Sequence, residues 1–142
     1  MPASPTPQEK FFVNLNRVIK SKGETEIDPN DYDMSEPAAY TGSQSSGNTV
    51  IYLYPKLSAP VFGSTIVYST RVDITGKTLP TFTKGTATNL ETLLPEINAK
   101  FGITFAKEDF EDVTIESSTT KVTLKPTAKN LLMIGEKEIT LA

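Results

Sequence analysis

Thr88 to Gly102, TNLETLLPEINAKFG, is the stretch that decides the fold. Thr88 and Glu91 stand three apart, the spacing of a capping box, in which a hydroxyl accepts one orphan N–H and a carboxylate reaches back for another. Leu90, Leu93, Leu94, Ile97 and Phe101 recur at intervals of three and four, so one helical face is apolar. Lys100 falls in the last turn, where a cation suits the helix dipole. Gly102 follows where a left-handed residue closes a helix. Pro95 interrupts the pattern: it removes one backbone donor and is expected to kink or split the helix. A helix with one apolar face needs a sheet to cover.

The flanking segments supply strands. Upstream, TVIYLYPKL (49–57) is rich in β-branched and aromatic residues, with Pro55 limiting its length. Ala59-Pro60 and Gly63 mark a turn. STIVYSTRVDITG (64–76) reads as the best strand, with Ile66, Tyr68, Val72 and Ile74 on one parity. TLPTFTKGTAT (78–88) then leads to the helix. Downstream, AKEDFED (106–112) predicts one helical turn with Phe110 inward. VTIE and TKVTLKPT predict a strand pair joined through Ser117, Ser118 and Thr119. Leu131 to Ile134 and Lys137 to Leu141 predict a terminal hairpin around Gly135-Glu136. The class is α+β: a small, mainly antiparallel sheet with one main helix packed on it, preceded by an N-terminal helix and an extended arm.

That first helix is equally legible. After a Pro-rich lead, Thr6-Pro7-Gln8-Glu9 forms a second capping box, with Pro at the first helical position. Phe11, Phe12, Leu15, Val18 and Ile19 make an apolar stripe, Lys20 and Lys22 occupy the last turn, and Gly23 ends it. The spacing predicts a helix over 7–22. Glu24 to Asn48 is acidic, then Gly/Ser-rich, and reads as an extended connector, with Ile27, Tyr32, Met34 and Tyr40 available to pin it to a surface. The expected organisation is an arm over 1–48 and a structural domain over 49–142. The five stripe residues are the candidate partner-binding set.

Composition narrows the functions. The chain has 142 residues, enough for one modest core, with 37% hydrophobic residues and no Trp. A net charge of −3 and a pI near 5.0, without a basic run, argue against nucleic acid as a partner. There is no Cys and no His. Thiolate metal sites and disulfides are therefore excluded, and the commonest general base and transition-metal ligand are missing. No apolar run approaches about 18 residues, so no helical membrane span is expected. The lead lacks the regions of a signal peptide, and the mature chain is expected to start near Met1.

No catalytic constellation emerges. Asp28, Asn30, Asp31 and Asp33 lack the alternation, central Gly and closing Glu of a calcium loop. Glu108, Asp109, Glu111 and Asp112 form a second acidic run, of a kind that usually faces water. No Gly-rich phosphate loop is present. Tyr52, Tyr54 and Tyr68 on strands are candidates for a stacking platform, against packing as the plainer role.

The order NLETLLPEINAKFGITFAKEDFEDV, TKVTLKP and NLLMIGEKEITL resembles a small module of tailed-bacteriophage structural proteins. Leu93, Leu94, Pro95, Ile97, Asn98, Lys100, Phe101 and Gly102 carry the helix of that pattern. Asp109 and Asp112 carry its acidic turn, Gly135 its hairpin, and Tyr68, Arg71 and Asp73 the preceding strand. The likeness spans about residues 64–142. It implies a virion component without catalytic residues or cofactor: a capsid decoration, collar or tail accessory subunit. Its expected partners are other virion proteins, such as the major capsid or tail proteins, with a homo-oligomer also possible. A host-surface or glycan-binding module of a phage fibre, using the strand tyrosines, is the alternative.

Overall fold

The structure is a computed structural model and describes residues 4–57 and 65–142. The turn expected at Ala59-Pro60 and Gly63 lies outside the described residues. The fold class is α+β: two α-helices and several short strands in small sheets, mostly antiparallel. The chain divides into two compact units. One runs Gln8–Arg71; the other takes Val72–Ala142 together with the leading residues up to Pro7. This division replaces the boundary expected at 48/49, because part of the supposed connector is sheet.

In the first unit, α1 spans Pro7–Ser21, with Glu9 in its first turn and Lys20 in its last. Its end is closed by two backbone bonds, Gly23 N–H to Lys20 C=O (3.0 Å) and Glu24 N–H to Ile19 C=O (3.2 Å), a Schellman pattern. The chain then doubles back. Asn16 bonds both backbone groups of Ile27: its Nδ2 donates to the carbonyl and its Oδ1 accepts from the N–H, each at 2.9 Å. Asp28 caps a single 3-10 turn over Pro29–Asp31 by accepting from Asn30 N–H at 2.9 Å. Strands β1 (Tyr32–Met34) and β2 (Ala38–Ala39) follow, and Ile27, Tyr32, Met34 and Tyr40 are each half-buried.

The unit's sheet is organised on β3, Thr49–Pro55. β1 and β2 pair antiparallel with its two ends on one side, and β4 (Thr65–Ser69) pairs antiparallel along the other. The two-residue period of a strand sorts β3 cleanly. Thr49, Ile51 and Leu53 are fully buried, while Tyr52 and Tyr54 are exposed. Val67 joins the buried face and Ile66 the open one.

The run 64–76 is therefore not one strand. Asn48 interrupts it, its Oδ1 accepting from Arg71 N–H (2.8 Å) and its Nδ2 donating to Arg71 C=O (2.9 Å). Beyond that point Val72–Asp73 forms β5, in the second unit.

There, α2 spans Leu90–Phe101 and buries Leu90, Leu93, Leu94 and Ile97. Its N-cap is Asn89, not Thr88: Asn89 Oδ1 accepts from Thr92 N–H (2.9 Å) and Thr92 Oγ1 from Asn89 N–H (3.1 Å). Pro95 does not split the helix. Glu91, whose carbonyl loses its helical donor to Pro95, is an exposed residue. Gly102 closes the helix at φ 68°, a left-handed conformation that costs a residue without Cβ little. The core around α2 comprises Ile74, Phe82, Ile103, Phe105, Phe110, Ile115, Leu124, Ile139 and Leu141. Phe110 points inward after a 3-10 turn at Lys107–Asp109, as expected.

The strand pairs expected here change partners. β6 (Lys121–Leu124) pairs antiparallel with β8 (Lys137–Thr140), not with VTIE. β7 (Met133–Ile134) pairs parallel with β5 rather than turning back on β8. Gly135, at φ 86°, turns the chain between these two ladders. A Cβ there would overlap Asp73 Oδ1 and Thr75 Oγ1, so the corner packs against residues 73–75.

Polar side chains hold the intervening loops. Asn130 is fully buried. It donates to Asp109 C=O (3.0 Å) and accepts from Leu132 N–H (3.0 Å) and Met133 N–H (2.9 Å). Replacing Asn130 by Ala leaves both half-buried N–H groups without that acceptor and is expected to destabilise the protein by about 2 kcal/mol. Urea denaturation measures this, and a loss under about 0.5 kcal/mol contradicts the assignment.

Candidate functional site

α1 presents its stripe unevenly. Phe11 and Phe12 are 6% and 3% exposed, with rings packed edge to face at 5.3 Å. Both are core, which corrects their assignment to a partner interface: a side chain already inside its own fold has little area left to give a partner. Leu15 and Ile19 are half-buried, and Val18 is 52% exposed. These last three residues line an open cleft of about 620 Å³. Thr65, Ile66, Val67 and Tyr68 of β4 form another part of its lining, and Lys22, Glu24 and Ile27 continue the helix side. The Asn16–Ile27 pair fixes that side, because it ties the returning chain to the helix.

The sheet also bears an open aromatic face. Tyr52 and Tyr54 are 39% and 45% exposed. Their rings stack at 6.4 Å with 19° between planes, as residues two apart on one strand face allow. The β3–β4 register sets Tyr52 opposite Ile66 and Val50 opposite Tyr68, so all four share this face. Ile66 is 50% exposed. Tyr68 is half-buried: it packs on Tyr40 at 4.6 Å and donates to Gln44 Oε1 at 3.0 Å. Two of the three tyrosines singled out from sequence are therefore open, and the third is engaged within the fold.

The acidic runs do not converge. Asp112 Oδ1 accepts from Leu90 N–H at the start of α2 (3.1 Å), a favourable place for a negative charge. Glu111 pairs with Lys125 at 3.6 Å between exposed side chains. Glu108 is exposed. Among the described residues, no three Asp or Glu side chains are grouped to hold a metal ion. No helix among them is long and apolar enough to cross a membrane.

Two carboxyls titrate away from their ordinary range. Burial raises that of Asp109, partly offset by a bond from Ala106 N–H, while neighbouring Glu108 adds to the rise. Asp73 is lowered by hydrogen bonds from the backbone and side chain of Thr75. Burial also lowers the titration of Arg71, whose Nε donates to Thr49 Oγ1 at 2.8 Å.

Sequence reasoning missed the β4 side of the cleft. Reading 64–76 as one long strand hid the end at Ser69, and with it the edge. The available signal was composition: TIVYS has no charge and no Pro, the residues that usually blunt an edge strand.

The chain belongs to a family of unknown function (DUF7941), whose model matches residues 7–142. That span takes in α1, the cleft and Val72–Ala142 of the second unit. No curated protein and no solved structure matches the chain.

The Asp109 shift has a pH consequence. Its folded-state value lies above the unfolded one, so the folded chain holds that proton more tightly. The associated stability is fully present below the unfolded value, near about 4. It is lost as pH rises through the folded value. Asp109→Asn is expected to remove this loss, so the variant gains on the natural chain across that window. Urea denaturation between pH 3 and 7 tests this, and parallel pH profiles contradict it.

Proposed function

We propose that this chain is a non-enzymatic structural protein of a tailed-bacteriophage virion, attached to the particle through protein–protein contacts as a capsid decoration, collar or tail accessory subunit. The observation that carries the reading is the cleft between α1 and β4, where Val18 and Ile66 each leave about half their surface in water. Side chains this apolar are worth about 1.5–3 kcal/mol each when fully buried, so covering the remaining half of several gives a partner useful binding energy. Its partners are other virion structural proteins, such as the major capsid or tail proteins. The lack of His and Cys and the dispersal of the acidic side chains favour a binding role over a catalytic one. The resemblance of residues 64–142 to phage structural modules supplies the setting.

A second reading has one observation in its favour. Tyr52 and Tyr54 are exposed together, with near-parallel rings beside Ile66. An aromatic surface of this kind suits a glycan on the host surface, with pyranose C–H groups set against the rings. Under this reading the chain is the binding module of a phage fibre.

Val18→Asp with Ile66→Lys separates the two. Both residues are exposed, so the pair is expected to change stability by less than about 1 kcal/mol. Incorporation into virions, read from purified particles, is expected to fall at least tenfold. Tyr52→Ala with Tyr54→Ala is expected to leave incorporation unchanged. Full incorporation of the first variant contradicts the attachment reading, and loss of host adsorption with normal incorporation in the second favours the fibre reading.

A further inference from the structure

The cleft has two unlike sides, and their difference identifies the form of what fits it. One side is helix and returning chain: apolar Leu15, Val18, Ile19 and Ile27, with Lys22, Glu24 and Thr25 among them. The other is β4. Thr65, Ile66, Val67 and Tyr68 all line the cleft, though successive residues of a strand point to opposite faces. A cavity that touches both parities of one strand meets that strand along its edge.

This edge has backbone groups to offer. Among the described residues β4 pairs only with β3, from Leu53↔Thr65 to Thr49↔Ser69. Among the described residues no other backbone bond reaches 65–69. In an antiparallel strand alternate residues direct N–H and C=O to opposite sides. Half of the β4 groups are therefore turned away from β3. Thr-Ile-Val-Tyr-Ser has no charge, Pro or Gly to discourage another strand.

We propose that the cleft receives an extended, uncharged segment of a neighbouring protein chain, which pairs with β4 and extends the sheet by one strand. This inference rests on the attachment reading above and adds the conformation and chemistry of the partner. A docked helix has already paired its own backbone and leaves the β4 edge unsatisfied. An extended segment satisfies that edge, and every second side chain meets the apolar wall. Size agrees. A strand in a packed sheet occupies about 160 Å³ per residue, from its rise, lateral spacing and layer thickness. The 620 Å³ cleft thus holds about four residues, against five in β4. Charge agrees as well, since the lining carries one cation, Lys22, and one anion, Glu24, with no net field to select a charged segment.

The test uses the full chain, labelled for NMR, and two synthetic peptides. One has the sequence of residues 49–55, the strand that β4 already accepts on its inner side. The other has the sequence of residues 7–21, an amphipathic helix. The strand peptide is expected to slow exchange of the outward amides of 65–69 at least tenfold and to shift the Val18 and Ile19 methyl signals. The helix peptide is expected to do neither, and Val18→Asp is expected to weaken the strand peptide at least tenfold. Three outcomes overturn the proposal: the helix peptide alone produces these effects, neither peptide acts at millimolar concentration, or the free chain already protects 65–69 by pairing with a second copy. Loss of virion incorporation in the Val18→Asp, Ile66→Lys variant without any peptide effect would remove the strand mode and leave the attachment reading. A peptide effect with normal incorporation would show that the attachment reading is the part that fails.

Discussion

The first unit depends on the strict alternation of β3. Thr49, Ile51 and Leu53 are wholly buried, and Tyr52 and Tyr54 are wet. A slip of one residue would exchange these sets and place two tyrosines in a core with no partner for their hydroxyls. The register is held on both sides, because β1 and β2 occupy one edge of β3 and β4 the other. The open surfaces of this unit follow. With β3 central, β4 is outermost among the described residues, and Ile66 and Tyr52 lie together on the open face. In α1 Phe11 and Phe12 are buried and Asn16 is tied to Ile27, so its last turns form a wall rather than a free arm.

The second unit is built differently. Its ladders are only two to four residues long. Its order comes from a continuous apolar core and from side chains that take over backbone duties. Lys84 shows the principle: its ammonium donates to the carbonyls of Ser117 (2.6 Å) and Thr119 (2.9 Å), gathering a loop that has no strand partner. Asn130 and Asp112 do the same for the segments after β6 and before α2. Backbone groups withdrawn from water need partners, and here polar side chains supply what short sheets cannot.

Legibility in the sequence tracked the range of the interaction. Both helices were readable because period, cap and closing glycine lie within a few residues of one another. The choice of Thr88 over Asn89 as cap erred by one position, since both residue types accept the needed bond. β3 was readable for the same local reason. Pairing was not. Gly135-Glu136 has the look of a hairpin turn, yet β7 and β8 join strands that begin 61 and 16 residues earlier. Nothing local encodes such partners. The segment 24–48 lacked periodicity because β1 and β2 are too short to show any, and they exist only through β3. Of the stripe on α1, the pattern alone did not distinguish Phe11 and Phe12, which the fold keeps, from Leu15, Val18 and Ile19, which it leaves at the cleft.

The central claim is that the α1–β4 cleft is the surface by which this chain is held in a larger particle. Amide hydrogen exchange, compared between the free chain and the chain within purified virions of its source, tests it most directly. The account predicts added protection in 65–69 and in the cleft-facing part of 15–27, with the α2 core unchanged because it is already buried. Absence of the chain from virions, or added protection confined to the Tyr52–Tyr54 face or to the α2 unit, contradicts it.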